Sequence, residues 1–144
     1  EALQTAFEDS PWAHLPRLQF MPFQGMMKGY MDLVAEHEER YFVIDYKSNY
    51  LGPQRSDYGP AQLESVMGES HYVLQYHLYI VALHRYLQQR LPKYDYDTHV
   101  GGAAYLFLRG MHPDAPGCGV FTDKPQRALI ERLSALFTEA AHGQ

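Results

Sequence analysis

The sequence predicts a layered α/β domain, a mixed β-sheet with helices packed against it. Three observations carry that reading. Residues 41–46 (YFVIDY) form a β-branched and aromatic run, and residues 27–34 before them alternate with the two-residue period of a strand. Between residues 61 and 91, Leu74, Leu78, Val81 and Leu87 recur at about the helical period. A third strand-like run, VGGAAYLFL at residues 100–108, follows that helix. The chain has 144 residues, enough for one core and too few for two, so residues 1–144 read as a single domain.

Taken in order, residues 1–17 have no clean period and are broken by Pro11 and Pro16, which predicts a short helix or coil as an irregular lead-in. Sheet and helices occupy residues 18–144. An extended segment is expected at residues 18–23, limited by Pro22. The first clear strand spans residues 27–34, and the polar run EHEER at residues 36–40 reads as a hairpin turn. Residues 41–46 read as a central strand covered on both faces. Lys47, Ser48 and Asn49 end it, and a Gly- and Pro-containing loop runs from residue 52 to 60. Gly68 and Ser70 divide the following helical region into a short and a long helix, and Pro92 stops the second. After an aromatic and acidic loop comes the strand at 100–108, whose glycines imply close backbone approach. A loop at 110–119, a short strand at Val120 and Phe121, and a helix at 125–141 with Leu129, Leu133, Leu136 and Phe137 inward complete the chain.

The formal charge of −5 excludes a generic DNA-coating protein, which needs clustered Lys and Arg. It leaves a nuclease open, because carboxylates that gather a divalent ion add negative charge and the ion inverts the local potential. The single cysteine, Cys118, supports neither an internal disulfide nor a multi-cysteine zinc site, and the expected compartment is the cytoplasm. No apolar stretch approaches the ~20 residues of a membrane helix. The chain opens on Glu1 without a leader, so it is expected either to be cut from a longer polypeptide or to lack its first residues.

One ionisable pattern interrupts the apolar strands: Asp32, then Asp45-Tyr46-Lys47. Residues two apart in a strand emerge on one face, so Asp45 and Lys47 point the same way. An antiparallel hairpin would bring Asp32 close to Asp45, where both could hold one divalent cation, with the Tyr46 carbonyl as a further oxygen ligand. Such a site suits phosphodiester hydrolysis, in which Lys47 orients the water or stabilises transition-state charge. The plainer alternative is a surface salt bridge, since acid-x-lysine is common. Against it stand the apolar surroundings, the adjoining loop and the second acid, because unpaired charges are costly to bury.

Three ordered segments, GYMDLV at residues 29–34, DYKSN at 45–49 and QYHLY at 75–79, resemble the RecB-type nuclease domains of bacterial helicase–nucleases, a branch of the PD-(D/E)XK superfamily. The similarity extends through LHRYL at 83–87, YDY at 94–96, Gly101-Gly102 and YLFLRG at 105–110, and covers roughly residues 20–124. The resemblance implies a restriction-endonuclease-like core, with Asp32, Asp45 and the Tyr46 carbonyl as metal ligands and Lys47 as catalytic lysine. Gln75 and Tyr79 match the family's glutamine–tyrosine helix motif and are implied to position substrate. The implied ion is Mg2+, with Mn2+ as a substitute and Ca2+ able to occupy the site without supporting cleavage. The implied activity is metal-dependent hydrolysis of DNA in double-strand break repair, of the exonuclease V type. The implied partners are DNA, RecC-like and RecD-like subunits and a RecA-like recombinase.

Two departures qualify the expectation. Gly29-Tyr30-Met31, without the superfamily's usual proline, precedes Asp32, as in much of this branch. RecB-type nucleases also carry a metal-binding histidine on a helix well before the first acid, and only 31 residues precede Asp32 here. His14 lies between prolines and does not match that helix, and His37 falls in the hairpin turn. The chain is therefore expected to be the C-terminal portion of such a domain, truncated on its N-terminal side and weakly active or inactive alone. No Walker GxxxxGK[ST] motif of a helicase motor is present. The alternative function is a catalytically incompetent nuclease fold that docks recombination partners. His71, His77 and His84 lack carboxylates at ligand spacing, so zinc is not expected. Tyr41, Tyr46, Tyr72, Tyr76 and Tyr105 read as core or interface residues. Arg109 could meet phosphate or an ordinary surface partner.

Overall fold

The computed structural model describes residues 2–14 and 30–142. The extended segment expected at 18–23 and the start of the first strand lie outside the described residues. Helix α1 (Ala2–Ala6) leads in, and strands β1 (Leu33–His37) and β2 (Arg40–Lys47) follow. Next come a 3-10 turn (Arg55–Tyr58), α2 (Pro60–Glu69), α3 (Tyr72–Arg90) and α4 (Tyr96–His99). Strands β3 (Val100–Phe107) and β4 (Val120–Asp123) and helix α5 (Arg127–His142) complete the order. The four strands lie in the order β1-β2-β3-β4, with β1 and β4 antiparallel to their neighbours and β2 parallel to β3. The sheet is therefore mixed, as expected, and α2 and α3 supply the crossover that parallel pairing of β2 and β3 requires.

The hairpin is tighter than the EHEER run suggested. Strand β1 continues to His37 and pairs it with Arg40, so the turn is only Glu38 and Glu39, at φ 51° and 63°. Positive φ at both central residues matches the twist of the flanking strands, and Asn or Gly usually marks such a turn. Two glutamates give no such signal.

Strand β2 presents Val43, Asp45 and Lys47 on one face, in register with Ala103, Tyr105 and Phe107 of β3. Val43, Ala103, Tyr105 and Phe107 are buried there beneath α3. The reverse face is less covered than the sequence implied: among the described residues Phe42 and Ile44 are half-buried and Tyr46 is 47% exposed. Between Tyr41 and Phe42 the pairing to β3 slips by one residue, from Val100 to Gly102. A Cβ on Gly101 would meet the Phe42 ring at 2.3 Å, and one on Gly102, at φ +120°, would meet the Asp123 carbonyl oxygen at 2.5 Å. Both glycines are thus set by the bulge and by close approach.

Helix α3 buries Val73, Tyr76, His77, Ile80, Leu83, His84 and Leu87. Leu74 and Leu78, expected on the apolar stripe, are only half-buried, because the stripe runs through the tyrosines and histidines beside them. The helix ends at Arg90, since Leu91 is held extended before Pro92. Arg85 fastens α3 to α5 by donating to Ser134 Oγ at 2.8 Å and Thr138 Oγ1 at 2.7 Å. The aromatic and acidic loop before β3 contains a short helix, α4, which Asp95 caps by accepting from the Thr98 N–H at 3.0 Å.

His77 is a core residue, only 1% exposed, stacked on Tyr76 at 4.3 Å and against Phe7 at 4.8 Å. Its Nδ1 is 2.7 Å from the Val73 carbonyl and donates to it, which leaves Nε2 unprotonated. Burial pushes its pKa down from 6.5 to about 4, partly offset by that hydrogen bond. The unfolded chain therefore takes up a proton near 6.5 that the folded domain refuses until about 4. Stability is full above the upper value and falls through that window by about 3 kcal/mol. Urea midpoints across this range should show the loss, and His77→Phe should reduce it; an unchanged slope in that variant would place the pH dependence elsewhere.

Candidate active site

The site forms where β2 ends, because that is where the sheet stops covering its own polar groups. The antiparallel register that pairs Leu33 with Ile44 sets Asp32 opposite Asp45, one residue ahead of β1. Asp32 is exposed, and its Oδ2 accepts from the Tyr46 N–H at 3.0 Å. In an extended chain the N–H and C=O of one residue point to the same side, so the Tyr46 carbonyl also faces the Asp32 side. The next carbonyl, of Lys47, faces β3 and accepts from the Leu108 N–H at 3.0 Å, which is the alternation a strand demands.

Asp45 is 4% exposed, and Lys47 Nζ lies 2.7 Å from its Oδ1. The pair is an inward-facing one rather than the surface salt bridge of the plainer reading. Lys47 Nζ also donates to Gln75 Oε1 at 3.3 Å and sits 4.0 Å from the centroid of the Tyr72 ring and 5.0 Å from that of Tyr105. Two ring faces beside an ammonium replace part of its lost hydration.

Gln75 is the hub of the helical side. Its Oε1 accepts from Lys47 and from the Tyr105 hydroxyl at 2.7 Å, and its Nε2 donates to the Tyr79 hydroxyl at 3.1 Å. Tyr79 in turn donates to the Tyr30 carbonyl at 2.7 Å, which ties α3 to the segment just before Asp32. Burial raises the Tyr105 pKa well above the ordinary phenol range, and the charges of Asp45 and Asp32 add to the rise. Burial and then Asp45 raise Tyr79 as well, with Gln75 opposing and Asp32 adding. Hydrogen bonds and one ion pair thus join Asp45, Lys47, Gln75 and Tyr79 in one network, which Tyr79 extends to the backbone two residues before Asp32.

Sequence reasoning placed Tyr72 and Tyr105 in the core or an interface, and they also form the cradle of Lys47. The pairing of Asp45 with Tyr105 across β2 and β3 is the signal that finds the second. Tyr46, expected in the core or an interface, is half-exposed. His37 is exposed, as expected, although it closes β1 rather than lying in the turn. Arg109 has an ordinary partner, the Ser48 carbonyl at 2.9 Å.

Among the described residues no three His, Cys, Asp or Glu side chains come together as a metal cluster. The donors present are two carboxylates and a carbonyl, all hard oxygens of the kind Mg2+ takes while keeping several waters. One oxygen of each carboxylate is held by an N–H donor, Lys47 for Asp45 and Tyr46 for Asp32, which fixes the orientation of both groups. The donor set fits a hard divalent ion. Among the described residues no helix is long and apolar enough to cross a membrane.

The chain matches the PD-(D/E)XK nuclease superfamily over residues 2–143, and it belongs to that superfamily. Within it the chain is similar to the RecBCD enzyme subunit RecB of Escherichia coli (strain K12), at 46% identity over 125 residues, 87% of this chain and 11% of that protein. The same subunit of Haemophilus influenzae is 49% identical over 126 residues, 86% of this chain and 10% of that protein. That of Mycobacterium tuberculosis (strain ATCC 25618 / H37Rv) is 42% identical over 126 residues, 80% and 11% respectively. The expected RecB-type resemblance is borne out. The chain spans about a tenth of the length of these relatives.

Proposed function

We propose that this domain hydrolyses DNA phosphodiester bonds with a divalent metal ion, as the nuclease module of a RecB-like helicase–nuclease working with RecC-like and RecD-like subunits. The observation that carries the reading is the buried Asp45–Lys47 pair, 2.7 Å apart, beside an Asp32 carboxylate locked onto the Tyr46 N–H. A docking module has no physical need to hold a carboxylate and an ammonium buried at one strand end against their desolvation cost, with a second carboxylate beside them.

In this mechanism Asp32, Asp45 and the Tyr46 carbonyl would hold the ion. A bound Mg2+ or Mn2+ supplies an acidified water and neutralises charge on the phosphoryl oxygens. Lys47 has three N–H donors. Asp45 and Gln75 engage two, and the third is left for the attacking water or a phosphoryl oxygen. Attack forms a P–O bond to water, which gives up a proton to solvent, while the bond to the leaving deoxyribose oxygen breaks and that oxygen takes a proton from solvent; charge on the phosphoryl oxygens is met by the ammonium. Gln75 and Tyr79 position Lys47 and the substrate strand, because their hydrogen-bonded chain runs from the ammonium to the Tyr30 backbone.

End-labelled single-stranded DNA should be shortened by the full-length protein in Mg2+ or Mn2+ and left intact in EDTA or Ca2+. A chiral phosphorothioate linkage should invert its configuration, as a single displacement by water requires. Retention would demand a covalent enzyme intermediate and overturn this mechanism. A folded protein that binds partners and cuts no DNA in any of these ions would establish the docking function instead.

A further inference from the structure

The cleft between the loop that follows β2, at residues 50–58, and the turn at 109–112 has properties that the hydrolytic site does not use. It is a cavity of about 430 Å³, and its lining includes Tyr50, Arg55, Tyr58, Arg109, Met111 and His112. The whole chain carries a net charge of −5, yet the cleft lining holds two arginines and a histidine and no Asp or Glu; Asp57 borders it, accepting from the Gln54 N–H at 2.8 Å, and His112 pairs with Asp114 at 3.5 Å. Among the described residues neither Arg55 nor Arg109 is in an ion pair. Tyr50 is 66% exposed and Met111 is 41% exposed, so an aromatic ring and a thioether stand open in a cleft that two arginines outside any ion pair also line. The Arg109 guanidinium lies 5.9 Å from the Tyr50 ring centroid, at the outer limit of a cation–π contact.

The cleft is built, and it is fixed to the catalytic strand. Its floor, Tyr58, is 3% exposed; its hydroxyl accepts from the Leu51 N–H at 3.1 Å and its carbonyl from the Gly119 N–H at 2.9 Å. Arg109 Nε donates to the carbonyl of Ser48, the residue after Lys47, at 2.9 Å. One residue earlier, the Leu108 N–H donates to the Lys47 carbonyl. The turn that carries Arg109 and Met111 is therefore tied by hydrogen bonds to the end of strand β2.

We infer that this cleft is a nucleotide subsite, in which one base of the single-stranded DNA leading to Lys47 stacks on Tyr50 and the adjoining phosphate pairs with Arg109 and Arg55. The inference rests on the nuclease reading and names how that site grips its strand. An exposed aromatic ring beside arginines suits a nucleotide because every base has a face to stack and every phosphate a charge to pair. Sequence-tolerant stacking also suits a nuclease that must accept whatever sequence reaches it.

The test uses the full-length protein and an oligothymidylate with a single 2-aminopurine moved along it, in Ca2+ so that the strand stays intact. Fluorescence should be quenched when the analogue occupies one particular position. The quench should vanish in Tyr50→Ala and persist in Tyr50→Phe. In Mg2+, Tyr50→Ala should raise KM for single-stranded DNA about tenfold, with kcat nearly unchanged. Arg55→Ala and Arg109→Ala should each weaken binding and flatten its salt dependence, by about 0.7 in log–log slope per lost phosphate contact. Equal melting temperatures exclude misfolding as the cause. A protein that cleaves DNA while Tyr50→Ala leaves quench and KM unchanged overturns the subsite. One that quenches through Tyr50 and never cleaves overturns the nuclease reading and keeps the subsite. Loss of a partner subunit in Tyr50→Ala, with DNA binding intact, gives the cleft to a protein contact and overturns the inference.

Discussion

Lys47→Ala should lower kcat for DNA cleavage about 100- to 1,000-fold, the range seen when one donor aimed at developing charge is removed. KM should change little, because the ammonium gains most of its interaction in the transition state, where charge on the phosphoryl oxygens is greatest. The same substitution should also lower stability in EDTA. Asp45 is 4% exposed and its Oδ1 is held by the ammonium at 2.7 Å, so truncating Lys47 leaves a buried carboxylate without its cation. Breaking a buried pair from one side costs about 3 kcal/mol. Magnesium should return part of that loss by binding the folded state at the orphaned carboxylate. Melting curves with EDTA and with Mg2+, set beside single-turnover rates, separate the two effects. A variant that cuts at the wild-type rate removes Lys47 from the chemistry.

The parts of this fold that could be read from sequence are those whose residues answer to local rules. Strand β2 and helix α3 are long, strongly patterned and bounded by a polar group and a proline. The slip in β3 was announced by Gly101-Gly102, since only residues without a Cβ fit against Phe42 and Asp123. Elements governed by tertiary context were less legible. The hairpin turn at Glu38-Glu39 has the left-handed backbone of a two-residue turn without the usual Asn or Gly, so the sequence pattern ends the first strand at residue 34 where β1 runs on to His37. Helix α4 was hidden in an aromatic stretch, although Asp95 three residues before Thr98 is a capping spacing. Of the candidate site, the Asp32, Asp45 and Lys47 constellation was visible because charges interrupt apolar strands. The tyrosine cradle was not, because Tyr72 and Tyr105 reach Lys47 only after the crossover has folded α3 over the parallel pair β2 and β3.

That cradle leads to the second large effect, an asymmetry between the two members of the buried pair. Asp45→Ala should lower cleavage at least as far as Lys47→Ala does, because in the proposed mechanism it removes a carboxylate that would hold the metal and with it several kcal/mol of transition-state stabilisation, about 1,000-fold or more in rate. In EDTA the two variants should part company. Without Asp45, the Lys47 ammonium still has the Tyr72 ring at 4.0 Å, the Tyr105 ring at 5.0 Å and Gln75 Oε1 at 3.3 Å. Without Lys47, Asp45 has no other ion pair among the described residues and faces the neutral phenols of Tyr79 and Tyr105, whose pKa values it already helps to raise. Asp45→Ala should therefore melt above Lys47→Ala. The double variant should be more stable than Lys47→Ala alone, since it removes the unpaired buried carboxylate. Magnesium should raise the melting temperature of Lys47→Ala and leave that of Asp45→Ala nearly fixed. Denaturant titrations of the four proteins, with and without Mg2+, measure the coupling directly. Equal stabilities of the two single variants in EDTA would show that the rings do not hold the ammonium. A magnesium-induced rise in Asp45→Ala as large as in the wild type would remove Asp45 from the metal site.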